Sequence, residues 1–365
     1  MRIPKILTGF LPAVAVALCC TAPASGQQNM MIEPMISGLE SPWAVAPLTD
    51  QSALVTLKGG DLMFVKAGEV TRVSGVPEVV DEGQGGLLDV TLAIDFDTTR
   101  EVFLTYVKDQ GGGSIGTALA RARLSADASA LEDVAELFAM QTGTRGGRHF
   151  GSRVVQAADG MLFVTIGERG DQLAAQDLSR HNGKVIRLNR DGSVPQDNPF
   201  VGQSGARPEI WSYGHRNPQG AGFDLEGNLW VSEHGAKGGD EVNRIEKSRN
   251  YGWPVISFGV HYSGAQIGEG SAKEGMEQPG FYWDPSIAPS GLMVYSGKMF
   301  PTWQGDIFVG SLKFDYIAQL RGEPLVEVAQ IKTDETLRVR DIVEAPDGAI
   351  WFISEINGAV YRIFR

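Results

Sequence analysis

One short strand pattern recurs six times along this chain: a turn pair, an aliphatic residue or methionine, an aromatic, then another apolar residue. It reads Gly60-Asp61-Leu62-Met63-Phe64-Val65, then Glu101-Val102-Phe103-Leu104, then Asp159-Gly160-Met161-Leu162-Phe163-Val164. It returns as Glu226-Gly227-Asn228-Leu229-Trp230-Val231, Gly305-Asp306-Ile307-Phe308-Val309 and Asp347-Gly348-Ala349-Ile350-Trp351-Phe352. The aromatics stand at 64, 103, 163, 230, 308 and 351, so successive copies lie 39 to 78 residues apart. Four strands of a propeller blade need about 40–50 residues, and inserted loops lengthen the interval. The repeat therefore predicts an all-β six-bladed β-propeller with four-stranded antiparallel blades. Such a ring packs each sheet on the next and leaves only short free edges.

The rest of the chain agrees with that period. Its 46 glycines and 18 prolines are scattered rather than gathered into a linker, and short apolar runs bounded by turn residues dominate. The best helical pattern, residues 131–140, reads equally well as a strand. The last apolar run, 359–364, is expected to complete a blade with residues near the start of the mature chain. With no interior linker, residues 25–365 form one domain.

Residues 1–24 read as a cleaved signal peptide. Arg2 and Lys5 precede an apolar run over residues 6–20, and Thr-Ala-Pro-Ala-Ser-Gly supplies the small residues of a cleavage site. That run is shorter than the ~20 residues of a spanning helix, so stable membrane insertion is not expected. The destination is the periplasm or the medium. Both cysteines, Cys19 and Cys20, fall in the leader, which leaves the mature chain no disulfide, thiolate metal site or cysteine nucleophile. Loss of Arg2 and Lys5 takes the formal net charge from −12 to −14, which argues against nucleic acid and anionic membranes as partners.

Three stretches carry more polar residues than ordinary loops need. Gly146-Gly147-Arg148-His149-Phe150-Gly151 sets a histidine among glycines, where a ligand can approach the backbone. His149 reads as a general base or as a hydrogen-bonded structural histidine. Tyr213-Gly214-His215-Arg216-Asn217-Pro218-Gln219 groups donors suited to an anion or carbonyl, or forms a solvated turn. Glu233-His234-Gly235-Ala236-Lys237-Gly238-Gly239-Asp240-Glu241, followed by Asn250-Tyr251-Gly252-Trp253-Pro254, suits a hard cation but lacks the spacing of an EF-hand. Farther on, Arg338 and Arg340 stand two apart and would share one face of a strand. Two such charges call for an anion between them. With Lys313 and Arg216 they suggest a pocket for a ligand with several carboxylates, unless they are solvated.

Taken together, these segments resemble the soluble quinoprotein sugar dehydrogenases, the pyrroloquinoline quinone (PQQ)-dependent glucose and aldose sugar dehydrogenases. The resemblance runs from about residue 42 to the end and is densest over 149–254. There Gly183-Lys184-Val185-Ile186-Arg187-Leu188-Asn189, Gly214-His215-Arg216-Asn217-Pro218-Gln219-Gly220 and Asn250-Tyr251-Gly252-Trp253-Pro254 are specific strings. It implies a six-bladed propeller that oxidises aldose sugars at C1 to the lactone, with PQQ and Ca2+ as cofactors. His149 matches the base that takes the anomeric hydroxyl proton as hydride leaves C1. Gln84, in Gly83-Gln84-Gly85-Gly86, matches a residue near cofactor and substrate. Arg216 and Asn217 match residues at the reactive quinone edge, and Lys313, Arg338 and Arg340 those around its carboxylates. Carbonyls of Gly235 and Ala236 would ligate the calcium beside the cofactor. Asp240, Glu241 and Tyr251 lie where a second, structural calcium or its support belongs.

The chain also departs from the pattern. Arg148 stands where the glucose enzymes carry an acid beside the base, and would lower the proton affinity of His149 or point away. Ala236 replaces a proline whose carbonyl alone is used. The shorter segment between Trp253 and Pro289 points to the aldose sugar dehydrogenase branch. The electron acceptor is a soluble carrier or a quinone, and the chain is a monomer or homodimer. Two other readings of a propeller are a calcium-dependent lactonase or hydrolase, with side-chain metal ligands from several blades, and a non-catalytic carbohydrate- or protein-binding module.

Overall fold

Six four-stranded antiparallel sheets make up the computed structural model, which describes residues 30–141 and 143–365. The expected leader and both cysteines lie outside the described residues. The first strands of the blades are Pro42–Pro47, Leu87–Leu92, Gly151–Gln156, Pro218–Phe223, Pro289–Val294 and Val339–Glu344. These six pack on one another around the axis, each against the next. Residues 131–140 turn out to be a strand, Leu131–Ala139, at the outer edge of its blade. No helix among the described residues is long and apolar enough to cross a membrane.

The repeat aromatics show how one blade seats on another. Phe103, Phe163, Trp230, Phe308 and Trp351 all lie on second strands, and each faces the following blade. Phe103 packs with Val154, Leu162 and Val164 of the third blade. Phe163 packs with Ala221, Leu229 and Val231 of the fourth, and Trp351 closes the circle on Val45 and Val55 of the first. Phe64 breaks the register expected from sequence: it lies on Leu62–Lys66, the third strand of its blade. The second strand there is Ala53–Leu57, and Leu54 takes the place of the aromatic against the second blade. The Gly60-Asp61 turn imitates the others but joins a different pair of strands. Buried apolar area of this kind stabilises by roughly 25 cal/mol per Å².

Ring closure uses both ends of the chain. Met31–Ile36 pairs antiparallel with Ala359–Phe364 and supplies the outer strand of the sixth blade, with Met31 opposite Phe364.

All six first strands share an irregularity at the same end. Their pairing with the second strand shifts register between Pro42 and Ala44, Leu87 and Val90, Gly151 and Val154, Pro218 and Gly220, Pro289 and Leu292, and Val339 and Asp341. Such bulges bend a strand and re-aim its side chains. The bulged end is called the upper end below. The lower ends pair regularly down to turns held by aspartates, as where Asp159 Oδ1 accepts from Met161 N (3.0 Å) and Asp347 Oδ1 from Ala349 N (2.9 Å).

Candidate active site

At the upper end the chain enters several first strands through residues in the left-handed region, where a side chain is strained. Ser41 (φ 48°), Ala288 (53°) and Arg338 (50°) directly precede such strands, and His149 (55°) stands two before another. Two loops meet there with no room for a Cβ. One added at Gly83 would strike the Gly147 carbonyl, and one at Gly147 would come within 2.6 Å of Glu82 O. This approach lets Gln84 N donate to Gly147 O (2.7 Å), while Gln84 Oε1 accepts from His149 N (2.7 Å). The glycines around His149 thus serve the meeting of two backbones.

His149 is oriented by an acid that sequence reasoning missed. Its Nδ1 is hydrogen-bonded to Oε1 of buried Glu168. A carboxylate only accepts, so Nδ1 carries the proton and Nε2 the lone pair. Nε2 has no partner among the described residues. Burial lowers the imidazole from its ordinary value; Glu168 raises it, and Arg216 and Arg148 lower it again. Arg148 therefore acts in the depressing sense expected, with its guanidinium lying against Gly170. The Glu168 loop is held from behind. Glu168 N donates to Arg216 O (2.9 Å) and Asn182 Nδ2 to Glu168 O (3.1 Å). Buried Lys184 donates to the carbonyls of Ala174 (3.0 Å), Ala175 (2.9 Å) and Asn182 (2.6 Å), and burial lowers its ammonium to about 7.

Beside this pair opens a cavity of about 210 Å³, lined by Trp43, Lys58, Gln84, Phe150, Asn217, Gln219, His234, Arg338, Arg340 and Glu355 among others. Asn217 Oδ1 accepts from Gly151 N (3.2 Å) and Gln219 Nε2 (3.3 Å), while its Nδ2 has no partner among the described residues. His234 Nε2 donates to Pro289 O (2.7 Å). Burial, then the Arg216 charge, hold that ring near 3, so it stays neutral.

The arginine pair does converge, but the anion between its members belongs to the chain. Glu355 meets Arg338 Nε at 3.1 Å and Arg340 Nη2 at 2.8 Å. The shared target does not come from simple strand alternation. Arg338 lies just outside the strand in a left-handed conformation, and the bulge follows it. Lys313 is not brought to the cavity: it is exposed, with its ammonium 4.9 Å over the Phe314 ring. Lys58, paired with Asp81, lines the wall instead.

His234 also lines a small pocket of about 20 Å³, which Arg216 shares with Glu233, Gly235, Glu241, Tyr251 and Trp253, room for one ion or water. Arg216 is held by several contacts. Its N donates to Glu233 Oε2 (2.8 Å), its Nη1 to the carbonyls of His234 (3.3 Å) and Gly235, and its guanidinium lies 5.2 Å over Trp253. The Gly235 carbonyl expected to face calcium thus meets an arginine in this structure. Asp240 accepts from Gly235 N (2.8 Å), Ser286 Oγ (2.6 Å) and Ala288 N (2.8 Å), a clamp on the loop that occupies both oxygens. The Tyr251 hydroxyl is likewise engaged, donating to Arg244 O (2.5 Å) and accepting from Glu246 N (2.8 Å). Glu241 remains available: among the described residues only Asn243 Nδ2 donates to its side chain (3.0 Å), and burial with the Glu233 charge pushes its carboxyl up to about 8.

A sequence signal for the missed residues exists. Second strands run toward the upper end, so in the third to sixth blades the residue four past the repeat aromatic arrives at or beside the site, whereas Val107 in the second blade joins the core. Counting from Trp230, Phe308 and Trp351 reaches His234, Leu312 and Glu355, all on the cavity wall; counting from Phe163 reaches Gly167, next to Glu168.

Comparison with known proteins follows the same outline. The family model described as glucose/sorbosone dehydrogenase matches residues 39–362. The aldose sugar dehydrogenase YliI of Escherichia coli is 42% identical over 95% of this chain and 97% of its own length. The crystal structure of the soluble aldose sugar dehydrogenase from Escherichia coli in the apo-form superposes with a TM-score of 0.89 at 41% identity, covering 92% of this chain and 99% of that one. The PQQ-bound form of aldose sugar dehydrogenase from Streptomyces coelicolor gives 0.75 at 25% identity, covering 92% and 98%.

Proposed function

The chain belongs to the glucose/sorbosone dehydrogenase family, and from that premise we propose that it oxidises aldose sugars at C1 to the lactone, with PQQ as acceptor and calcium bound near it. The observation that carries this reading is the His149–Glu168 pair, its Nε2 free, beside a cavity lined by arginine and amide donors.

The residues present fit a flat acceptor bearing carboxylates. Arg338, Arg340 and Lys58 would hold its acidic groups. Asn217 Nδ2 and the buried, unpaired Nε of Arg216 would serve its reactive oxygens. When bound, PQQ supplies the acceptor for the hydride that leaves the anomeric carbon. Everything else falls to the chain. Neutral His149 takes the anomeric hydroxyl proton on Nε2, and Glu168 stabilises the imidazolium that results. Arg216 stands fixed where negative charge develops, a preorganised donor that need not rearrange. Asn217 and Gln84 position what lies between them.

For calcium the fit is uneven. The carbonyls of Gly235 and Ala236 would take one ion, at the expense of the Arg216 hydrogen bond to Gly235. Glu241, in the small pocket with Tyr251, would take a second. A divalent cation favours the ionised carboxylate and would undo the upward shift of Glu241. Asp240 then supports the loop instead of ligating. A hydrolase built around a central metal needs several converging side chains. No group of three His, Cys, Asp or Glu that could hold a metal is assembled among the described residues. Export to the periplasm or medium, and a soluble or quinone electron acceptor, complete the proposal.

The test is to purify the mature protein, add PQQ and Ca2+, and follow dye reduction with a panel of aldoses. Reduction that depends on PQQ is expected. No reduction with any sugar, together with no spectral change on adding PQQ, would overturn the reading.

A further inference from the structure

Within the bulges the six first strands present a ring of second residues: Trp43, Leu88, Ser152, Gln219, Ser290 and Arg340. Only one is aromatic. Trp43 lines the cavity and is 4% exposed. One face of its indole is capped by the Arg153 guanidinium, 4.7 Å from the ring. Arg153 is itself fixed on the axis. It pairs with Asp89 (2.7 Å) and Asp341 (3.0 Å) and donates through Nε to Gln219 O (3.2 Å). The two carboxylates are anchored in turn, Asp341 Oδ2 accepting from Val45 N (3.0 Å) and Asp89 Oδ2 from Val154 N (2.8 Å). Residues from five blades therefore hold one arginine under one tryptophan.

We propose that Trp43 is a stacking platform for the flat ligand of the cavity, with Arg153 as the positioning residue that fixes and polarises its ring. The inference rests on the function proposed above and assigns the binding of the planar acceptor to a residue outside the arginine cluster. The face of an aromatic ring carries negative charge and would repel a polyanion. A guanidinium on the opposite face draws that charge away. An unsupported indole would suit a cation; one backed by Arg153 suits an electron-poor, acid-bearing ring system. The sugar has to reach His149 at the rim, which leaves the indole to the flatter, deeper ligand.

The experiment compares wild type, Trp43→Phe and Trp43→Leu as purified apoproteins, titrated with PQQ at fixed Ca2+ by equilibrium dialysis. Phe is expected to bind within about threefold of wild type, and Leu ~10-fold or more weakly, the range of stacking a flat ring on an aromatic side chain. Should the Leu variant fail to fold, emission decides: subtracting the Trp43→Phe spectrum from wild type isolates one of the seven tryptophans, and PQQ must quench that difference. Wild-type protein that takes up no PQQ overturns both the function and this inference. Wild-type uptake with an unquenched difference emission, or with Leu binding within twofold of wild type, overturns the stacking alone.

Discussion

The two ends of the ring are built from the same strands by opposite rules. Toward the lower end, first and second strands pair in register, Val155 with Phe163 and Val343 with Trp351, and the aromatics wedge each blade onto the next. At the upper end all six pairings slip, residues take left-handed conformations, and buried charges accumulate. Regular pairing carries the packing; the broken pairing carries the chemistry. Strain and unpaired polar groups are tolerated above because the lower ends over-determine the ring. The comparison implies that activity and stability are separable by position along a strand.

The largest effect should come from the upper end. His149→Ala is expected to lower kcat ~10²-fold or more, the scale of a lost general base, with PQQ binding by dialysis preserved; retained turnover would place the base elsewhere. Next comes Glu168→Gln, which removes the charge that raises His149. We expect kcat to fall about tenfold while the acid limb of the kcat/KM profile moves to lower pH. In the wild type that limb already lies below the ordinary 6.5 of histidine, because burial lowers the ring, and activity is lost as pH falls through the lowered value. An acid limb that stays put in the Gln variant would detach Glu168 from the base.

Glu355→Gln probes the intermediate case, a charge at the upper end outside the proton chemistry. It frees Arg338 and Arg340, so the apoprotein should lose about 2 kcal/mol in denaturant unfolding, while PQQ affinity rises roughly threefold with a steeper salt dependence. Weaker binding would mean that the carboxylate serves the ligand directly. The smallest effect is reserved for the lower end. Gly227 adopts φ +86° in the Asp224–Asn228 turn with open space where a Cβ would go, so Gly227→Ala meets strain and no clash. It should cost ~1 kcal/mol, visible in the melting midpoint, with kcat/KM within about twofold. A large loss of activity there would break the division between the ends.

The lower end is also the end that can be read from residue order. Turn pairs and aromatics repeat there because every blade needs the same wedge, and the copies at 103, 163, 230, 308 and 351 mark second strands directly. Phe64 misleads because Leu54 can fill the same hole and a Gly-Asp turn joins any two strands. The site is legible only in part, since it is assembled across blades. His149, Arg216, Asn217, Gln84 and the arginine pair sit in recognisable strings. Glu168 and Glu355 owe their place to neighbours 19 and 15 residues away; the count from the repeat aromatic marks their positions, but not that an acid there pairs with His149 or with the arginines. Lys313 shows the converse, a cation at a plausible position whose side chain lies over Phe314. The anion sought between Arg338 and Arg340 was correctly required by electrostatics, but charge alone does not say whether ligand or protein provides it.

Closure by Met31–Ile36 on Ala359–Phe364 has a consequence in time. Residues paired there are separated by nearly the whole chain, and closing so long a loop slows folding far more than it lowers stability, since each doubling costs only about 0.6 kcal/mol. Until that last pairing forms, the sixth blade lacks its outer strand, and the Val45 and Val55 surface of the first blade waits for Trp351. An unfinished ring therefore exposes one sheet edge and one apolar face together, the combination by which partly folded chains find each other. The step most open to aggregation is the final joining of the two ends, well removed from the chemistry at the bulged rim.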